Sequence, residues 1–226
     1  MTVNMTKTTK TAKAQPALTN WQTPTAETYN GLDRAFHHFN KALFEDRLPP
    51  VVFTLTRKSV KNLGYFWADQ FTHREDGDTT HEISMNPMNM SREIKDILAT
   101  LVHEMTHLEQ QEYGKPSKNG HHNREWVKLM ERVGLIPSNT GEVGGKQTGR
   151  QMMHYIEEGG AFEKAFEALM PFDLPYFTKP REAGTGKKKD LSKVKHTCPE
   201  CDFKAWAKQG ANLMCGDCEV KMEGEV

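Results

Sequence analysis

Long hydrophobic runs are missing from this 226-residue sequence; its apolar stretches extend over a few residues at most. A membrane-crossing helix is therefore not expected, because one needs about 20 consecutive apolar residues. Net charge is missing as well, with 30 Lys and Arg against 30 Asp and Glu. That balance excludes a uniformly basic nucleic-acid coat and an acidic solvating protein. Cysteine is absent before Cys198, which excludes a disulfide framework running through the whole chain. Lys7, Lys10 and Lys13 have no apolar stretch behind them, so no secretory leader is expected and the expected compartment is the cytoplasm. With 36% hydrophobic and 27% charged residues, the chain reads as one core domain with a small appendage and polar segments.

The periodicity of the apolar residues organises what is present. Tyr29, Leu32, Ala35, Phe36, Phe39, Leu43 and Phe44 recur at steps of three and four, the signature of a helix with one buried face. Val51–Thr56, Leu63–Ala68 and Glu82–Met85 are rich in β-branched and aromatic residues and read as strands of a small, mainly antiparallel sheet. Ser91 is the expected N-cap of a second helix reaching Tyr113-Gly114. A third helix is expected over Arg124–Val133, with Trp126, Leu129, Met130 and Val133 on one stripe, then a Gly-rich loop from Gly134 to Gly149. Helical pieces should follow at Gln151–Glu157 and around Phe162, Ala165, Phe166 and Leu169. The expected divisions are a basic tail over 1–24, a main α+β domain over 25–170, a basic linker over 171–195 and a cysteine module over 196–226.

The second predicted helix carries His103-Glu104-Met105-Thr106-His107. Ile94, Ile97, Leu98, Leu101, Val102, Met105 and Leu108 share one arc of that helix, and the histidines fall outside it. Four residues apart, His103 and His107 stand one above the other, with Cβ atoms about 6 Å apart, so that both rings reach one ion. Two neutral imidazoles and a third ligand leave a zinc ion one position for water, and Glu104, the next residue round, is placed to accept its proton. Candidates for the third ligand are His121, His122 and His154, which spacing alone does not separate. Glu125 lies one turn further on.

The last 30 residues hold Cys198-x-x-Cys201 and Cys215-x-x-Cys218, separated by thirteen residues. Two such knuckles place four thiolates tetrahedrally around one structural zinc and leave it no open position for catalysis. Between them Phe203, Lys204, Trp206 and Lys208 interleave aromatic and basic side chains. That pattern suits either stacking on nucleic-acid bases or the small core of the module. Lys187, Lys188, Lys189, Lys193 and Lys195 lie just upstream and favour contact with DNA or RNA.

His103-Glu104-Met105-Thr106-His107, followed by Gly120-His121-His122-Asn123-Arg124-Glu125-Trp126, resembles the SprT-like metalloprotease domain, which includes the Spartan proteases. Phe39-Asn40, Leu43-Phe44, Leu48-Pro49 and Leu63-Gly64-Tyr65-Phe66 extend the resemblance, which covers about residues 29–135. It selects His122 as third ligand beside His103 and His107, with Glu104 as general base. It implies a minimal zincin-like α+β fold whose active-site helix packs on a small sheet with an edge strand for the substrate peptide. The four cysteines resemble the zinc ribbon often appended in bacterial and phage-type members. Two zinc ions are thus expected, one catalytic and one structural. The expected activity is a zinc-dependent endopeptidase acting on DNA-associated or DNA-crosslinked proteins, with single-stranded or damaged DNA as partner. Alternatives are a nucleic-acid adaptor with a non-catalytic histidine site, and a regulatory protease that cleaves one protein independently of DNA.

Overall fold

A computed structural model of the chain describes residues 23–59, 61–178 and 193–224. Most of the expected basic tail, and Lys187–Lys189 of the expected linker, lie outside these residues. The chain divides into two compact units, one up to Pro180 and one from Arg181.

The first unit opens with α1 (Pro24–Leu43). Its start is set locally: Thr23 Oγ1 accepts from the Ala26 N–H at 3.2 Å and Pro24 occupies the first turn, where a missing N–H costs nothing. Leu32, Ala35, Phe36, Phe39 and Leu43 are buried on one face as their spacing requires, each large side chain contributing about 1.5–3 kcal/mol. Beyond the helix, the Asn40 side chain bonds both the N–H and the carbonyl of Leu48, at 3.1 and 3.0 Å, and so fixes the turn that leads into the sheet.

The sheet contains β1 (Val52–Leu55), β2 (Gly64–Thr72) and β3 (Thr79–Met85) in the order β1-β3-β2. β2 and β3 form an antiparallel hairpin, but β1 pairs with the far side of β3 in parallel. The expectation of a mainly antiparallel sheet is thus corrected to a mixed one. The physical reason is connectivity: β2 and β3 are joined by a short hairpin, so β1 takes the opposite side of β3 and runs along it in the same direction.

Helix α2 (Ile94–Tyr113) packs against α1, α3, α4, β2 and β3. It begins three residues after Ser91, and Glu93 occupies the cap position without a side-chain hydrogen bond, so Ser91 is not the N-cap. Burial on α2 is not confined to its apolar arc. Thr100, His103, Glu104, Thr106, Glu109 and Gln110 are buried along with the apolar arc. Each polar group on this helix is therefore obliged to find a partner.

Glu109 shows how that is met. It is bound by Arg47 and by Arg132, the latter at 2.5 Å, and Arg132 also donates to the Leu43 carbonyl at 2.8 Å. The Glu109 side chain is 1% exposed whereas both arginine side chains are 39% exposed. Removing its charge leaves two arginines crowded together, at a cost reduced by their access to water. Glu109→Gln is expected to destabilise the unit by about 2 kcal/mol, measured by urea unfolding; an unchanged midpoint would remove this cluster as a structural brace.

Helix α3 (Arg124–Arg132) starts where Asn123 Oδ1 accepts from the Trp126 N–H at 3.0 Å. It ends at Arg132, two residues before Gly134, whose φ of +78° and close approach to the Ala161 nitrogen, 2.7 Å from any Cβ placed there, both demand glycine. Two sequence expectations fail in the segment between α3 and residue 157. The glycine-rich segment contains β4 (Leu135–Ser138), and the helix expected at Gln151–Glu157 is instead β5 (Met153–Ile156), antiparallel to β4. About two turns of helix are too short to persist alone, and pairing with a strand 18 residues earlier supplies the hydrogen bonds. Helix α4 (Ala161–Leu169) then buries Phe162 against Phe39, with ring centroids 5.5 Å apart. Phe172 and Leu174 belong to the same core, so the linker does not begin at residue 171.

The second unit contains β6 (Lys193–Thr197), β7 (Lys204–Lys208) and β8 (Glu223–Gly224), in the order β7-β6-β8. Its two knuckles repeat one backbone pattern. The Cys198 N–H donates to Phe203 O and the Asp202 N–H to Cys198 O; likewise the Cys215 N–H donates to Val220 O and the Glu219 N–H to Cys215 O. Asp202 and Glu219, at matching positions, take φ values of 58° and 55°. The small core consists of Cys198, Cys215 and Met222. Phe203 and Trp206, 57% and 61% exposed, are not part of it, which corrects the reading of those aromatics as a ribbon core.

Candidate metal centres

His103 and His107 lie on successive turns of α2, and the chain between α2 and α3 returns His122 to them. Ligand nitrogens of the three lie within 4.8 Å of one another, and His107 Nε2 is 3.1 Å from His122 Nε2. Adjacent corners of a tetrahedron with zinc–nitrogen bonds are about 3.4 Å apart, so this donor set fits zinc. His122 is held by β-type bonding to Gly149: its N–H donates to the Gly149 carbonyl at 2.8 Å and its Nδ1 lies 2.9 Å from the same oxygen. A carbonyl only accepts, so Nδ1 carries the proton and Nε2 is left with its lone pair. His121 is exposed and outside the cluster. His154 is also outside the converging set, although its Nδ1 meets His103 Nδ1 at 3.1 Å.

Trp126 forms a floor beneath all three rings, with centroids 5.0, 5.1 and 4.3 Å from those of His103, His107 and His122. Its indole is fully buried, and its ring is nearly parallel to that of His107, at 18°. The sequence placed Trp126 on the buried stripe of α3 but gave no sign that the stripe faces the histidines. The pinning role of Gly149 was equally invisible, because nothing in a glycine's identity reports which carbonyl its backbone offers.

Burial sets the electrostatics. It pushes the His107 imidazolium down to about 3, with His122 adding to the effect. His103 is lowered well below the ordinary imidazole value by burial and then by the neighbouring histidines, and His122 is lowered chiefly by burial. All three rings are therefore neutral near pH 7, the state in which imidazole is a metal ligand. Glu104 responds in the opposite sense: burial pushes its carboxyl up to about 8, against a hydrogen bond from the Phe66 N–H. A cation among the histidines favours the carboxylate form and pulls that value down. Gly64 gives Glu104 room; a Cβ there would stand 3.2 Å from its Oε1. Glu125, the residue one turn further on, is used elsewhere: it accepts from Gln110 Nε2 and from the Lys115 N–H, both at 2.7 Å.

In the second unit the ligand atoms of Cys198, Cys201, Cys215 and Cys218 converge within 4.8 Å, and no cysteine is in a disulfide. Cys201 Sγ and Cys215 Sγ are 3.7 Å apart, against about 3.8 Å for two thiolates on one tetrahedral zinc. The N–H groups of Cys218 and Asp217 lower the Cys215 thiol to about 7, while its neighbour Cys201 drives Cys218 up to about 12. Four sulfurs this close cannot all ionise unless a cation joins them.

A model of the SprT-like family matches residues 32–143. That range includes His103, Glu104, His107, His122 and Trp126 and excludes His154 and the four cysteines. An uncharacterized protein from the mucB 3' region of Salmonella typhimurium is 45% identical over 60 residues, which span 26% of this chain and 80% of that protein. The mixed α/β unit with its three converging histidines, and the separate four-cysteine unit, thus belong to a member of the SprT-like family, a family of metallopeptidase type.

Proposed function

We propose that the chain is a zinc-dependent endopeptidase with a minimal zincin-like domain, acting on DNA-associated or DNA-crosslinked proteins in the cytoplasm. The observation that carries the chemistry is the convergence of His103, His107 and His122 beside Glu104, which is buried on the same helix as His103 and His107. A zinc ion held by those histidines supplies Lewis-acid polarisation of a peptide carbonyl and acidifies water. Glu104 takes the proton from the attacking water and returns it to the leaving amine. Its carboxyl is tied to β2 through the Phe66 N–H, and β2 is an edge strand of the sheet. An extended peptide added to that edge is carried past the carboxylate. Among the described residues no helix is long and apolar enough to cross a membrane.

The cysteine unit supports the DNA part of the reading. Alternation exposes Lys204, Trp206 and Lys208 together on β7. Across the ladder Lys193 faces Lys208 and Lys195 faces Trp206, and directly opposed residues share a sheet face. One aromatic ring framed by lysines is suited to a single strand, the ring stacking on a base and the lysines meeting phosphates.

The test is cleavage of a DNA-bound protein by the zinc-loaded chain, with and without single-stranded DNA. Trp206→Ala is expected to weaken single-strand binding roughly 5- to 150-fold, the equivalent of about 1–3 kcal/mol for one stacked base, and to reduce DNA-dependent cleavage alongside. Cleavage of one preferred protein, indifferent to DNA and to Trp206, would favour the regulatory protease. DNA binding without hydrolysis of any presented substrate would favour the adaptor.

A further inference from the structure

Two of the three converging rings have their orientation explained. His122 is fixed by the Gly149 carbonyl, and His107 points Nε2 at His122. The remaining ring, His103, meets a side chain: its Nδ1 lies 3.1 Å from His154 Nδ1. A His103 that offers Nε2 to a cation keeps its proton on Nδ1, so the contact is a hydrogen bond only if His154 Nδ1 accepts and the His154 proton resides on Nε2. His154 is not a fourth ligand in this geometry, because its nitrogens are not part of the converging set.

We infer that His154 is a positioning residue for His103, its Nδ1 lone pair fixing the tautomer and the ring plane of that ligand. The inference rests on the proposed zinc site and deepens it. It also assigns a task to the segment after α3. His154 sits on β5 opposite Pro137 of β4, and Gly149 belongs to the connection between those two strands. One hairpin therefore supplies both orienting acceptors, a backbone carbonyl for His122 and an imidazole nitrogen for His103. Neither lies on the helix that carries the HExxH residues. Outer partners of this kind commonly account for about 10- to 100-fold in metal affinity.

The test compares His154→Leu, which keeps bulk without an acceptor, His154→Ala, which removes both, and His154→Asn, whose Oδ1 can accept in place of Nδ1. In the 226-residue chain, zinc retention is followed by chelator competition and metal counting, with the cobalt(II) spectrum of the histidine site as a second readout. His154→Leu and His154→Ala are expected to release one of two zinc ions about 10- to 100-fold more readily, with an altered cobalt spectrum and a fall in kcat rather than a rise in KM. His154→Asn is expected to restore retention and spectrum towards those of the unmodified chain. Should the Ala variant fail to fold, the Leu and Asn pair still decides. Unchanged retention and spectrum in His154→Leu would overturn the inference, as would an Asn variant as impaired as Leu. An unmodified chain that retains only the cysteine-bound zinc would instead overturn the metal site itself, and this inference with it.

Discussion

Glu104→Gln is expected to retain both zinc ions and the fold while lowering peptide hydrolysis by about 10²- to 10⁴-fold, the usual contribution of a positioned acid–base group. Glutamine keeps the shape that fits under Gly64 and still accepts from the Phe66 N–H, the two contacts that hold the side chain in place. What it loses is the ability to take a proton. Because Glu104 is not one of the converging ligands, metal content should not change. His122→Ala gives the complementary result: zinc is lost from the first unit and stays in the cysteine unit, and hydrolysis falls because the metal is absent. Measuring zinc per chain beside turnover separates the two. Normal hydrolysis by Glu104→Gln at full metal occupancy would remove this residue as the base, and equal zinc content in His122→Ala would remove His122 as a ligand.

Cys201→Ser is expected to unfold the second unit and leave the first intact. The core of that unit is Cys198, Cys215 and Met222, with a few half-buried neighbours, too little apolar surface to offset the entropy of ordering its residues. Its folding free energy is therefore metal-binding free energy, on the order of 10 kcal/mol or more for a structural zinc. Amide resonances of residues 193–224 should collapse to unfolded positions in Cys201→Ser, or when a chelator strips the ion, while those of α1 to α4 stay dispersed. The variant should also lose the proposed single-strand binding, since Lys193, Lys195, Trp206 and Lys208 are brought to one face by the β6–β7 ladder. A second unit that remains folded without metal would show that the four cysteines are not its staple.

The features most legible in the sequence are those whose partners are close along the chain. Helical spacing put His103 over His107, and Cys-x-x-Cys knuckles are local loops, so both constellations appear in the fold as read. The buried stripe of α3 is local in the same sense. Legibility failed where the deciding partner is remote. The stretch around Met153–Ile156 is strand because β4 lies beside it, and a short segment has no helical stability of its own to resist that pairing. Helix α2 carries polar residues outside its apolar arc, yet they are buried because Glu109 finds Arg47 and Arg132, and Gln110 finds Asn123 and Glu125. The choice of His122 over His121 came from a family resemblance; in the structure it follows from Gly149, 27 residues away.

By itself the sequence determined which atoms are available: two helical imidazoles one turn apart with a carboxylate beside them, four thiols in paired knuckles, and a chain too polar for a membrane helix. These follow from covalent order and the 3.6-residue period, which no distant contact alters. Only the tertiary structure decided which third imidazole joins the pair, how each ring is turned, and how far burial shifts the charge of Glu104 and the histidines. Those depend on Trp126, Gly149, His154 and Phe66 meeting across elements far apart in the chain, and desolvation exists only once those elements have closed around the site.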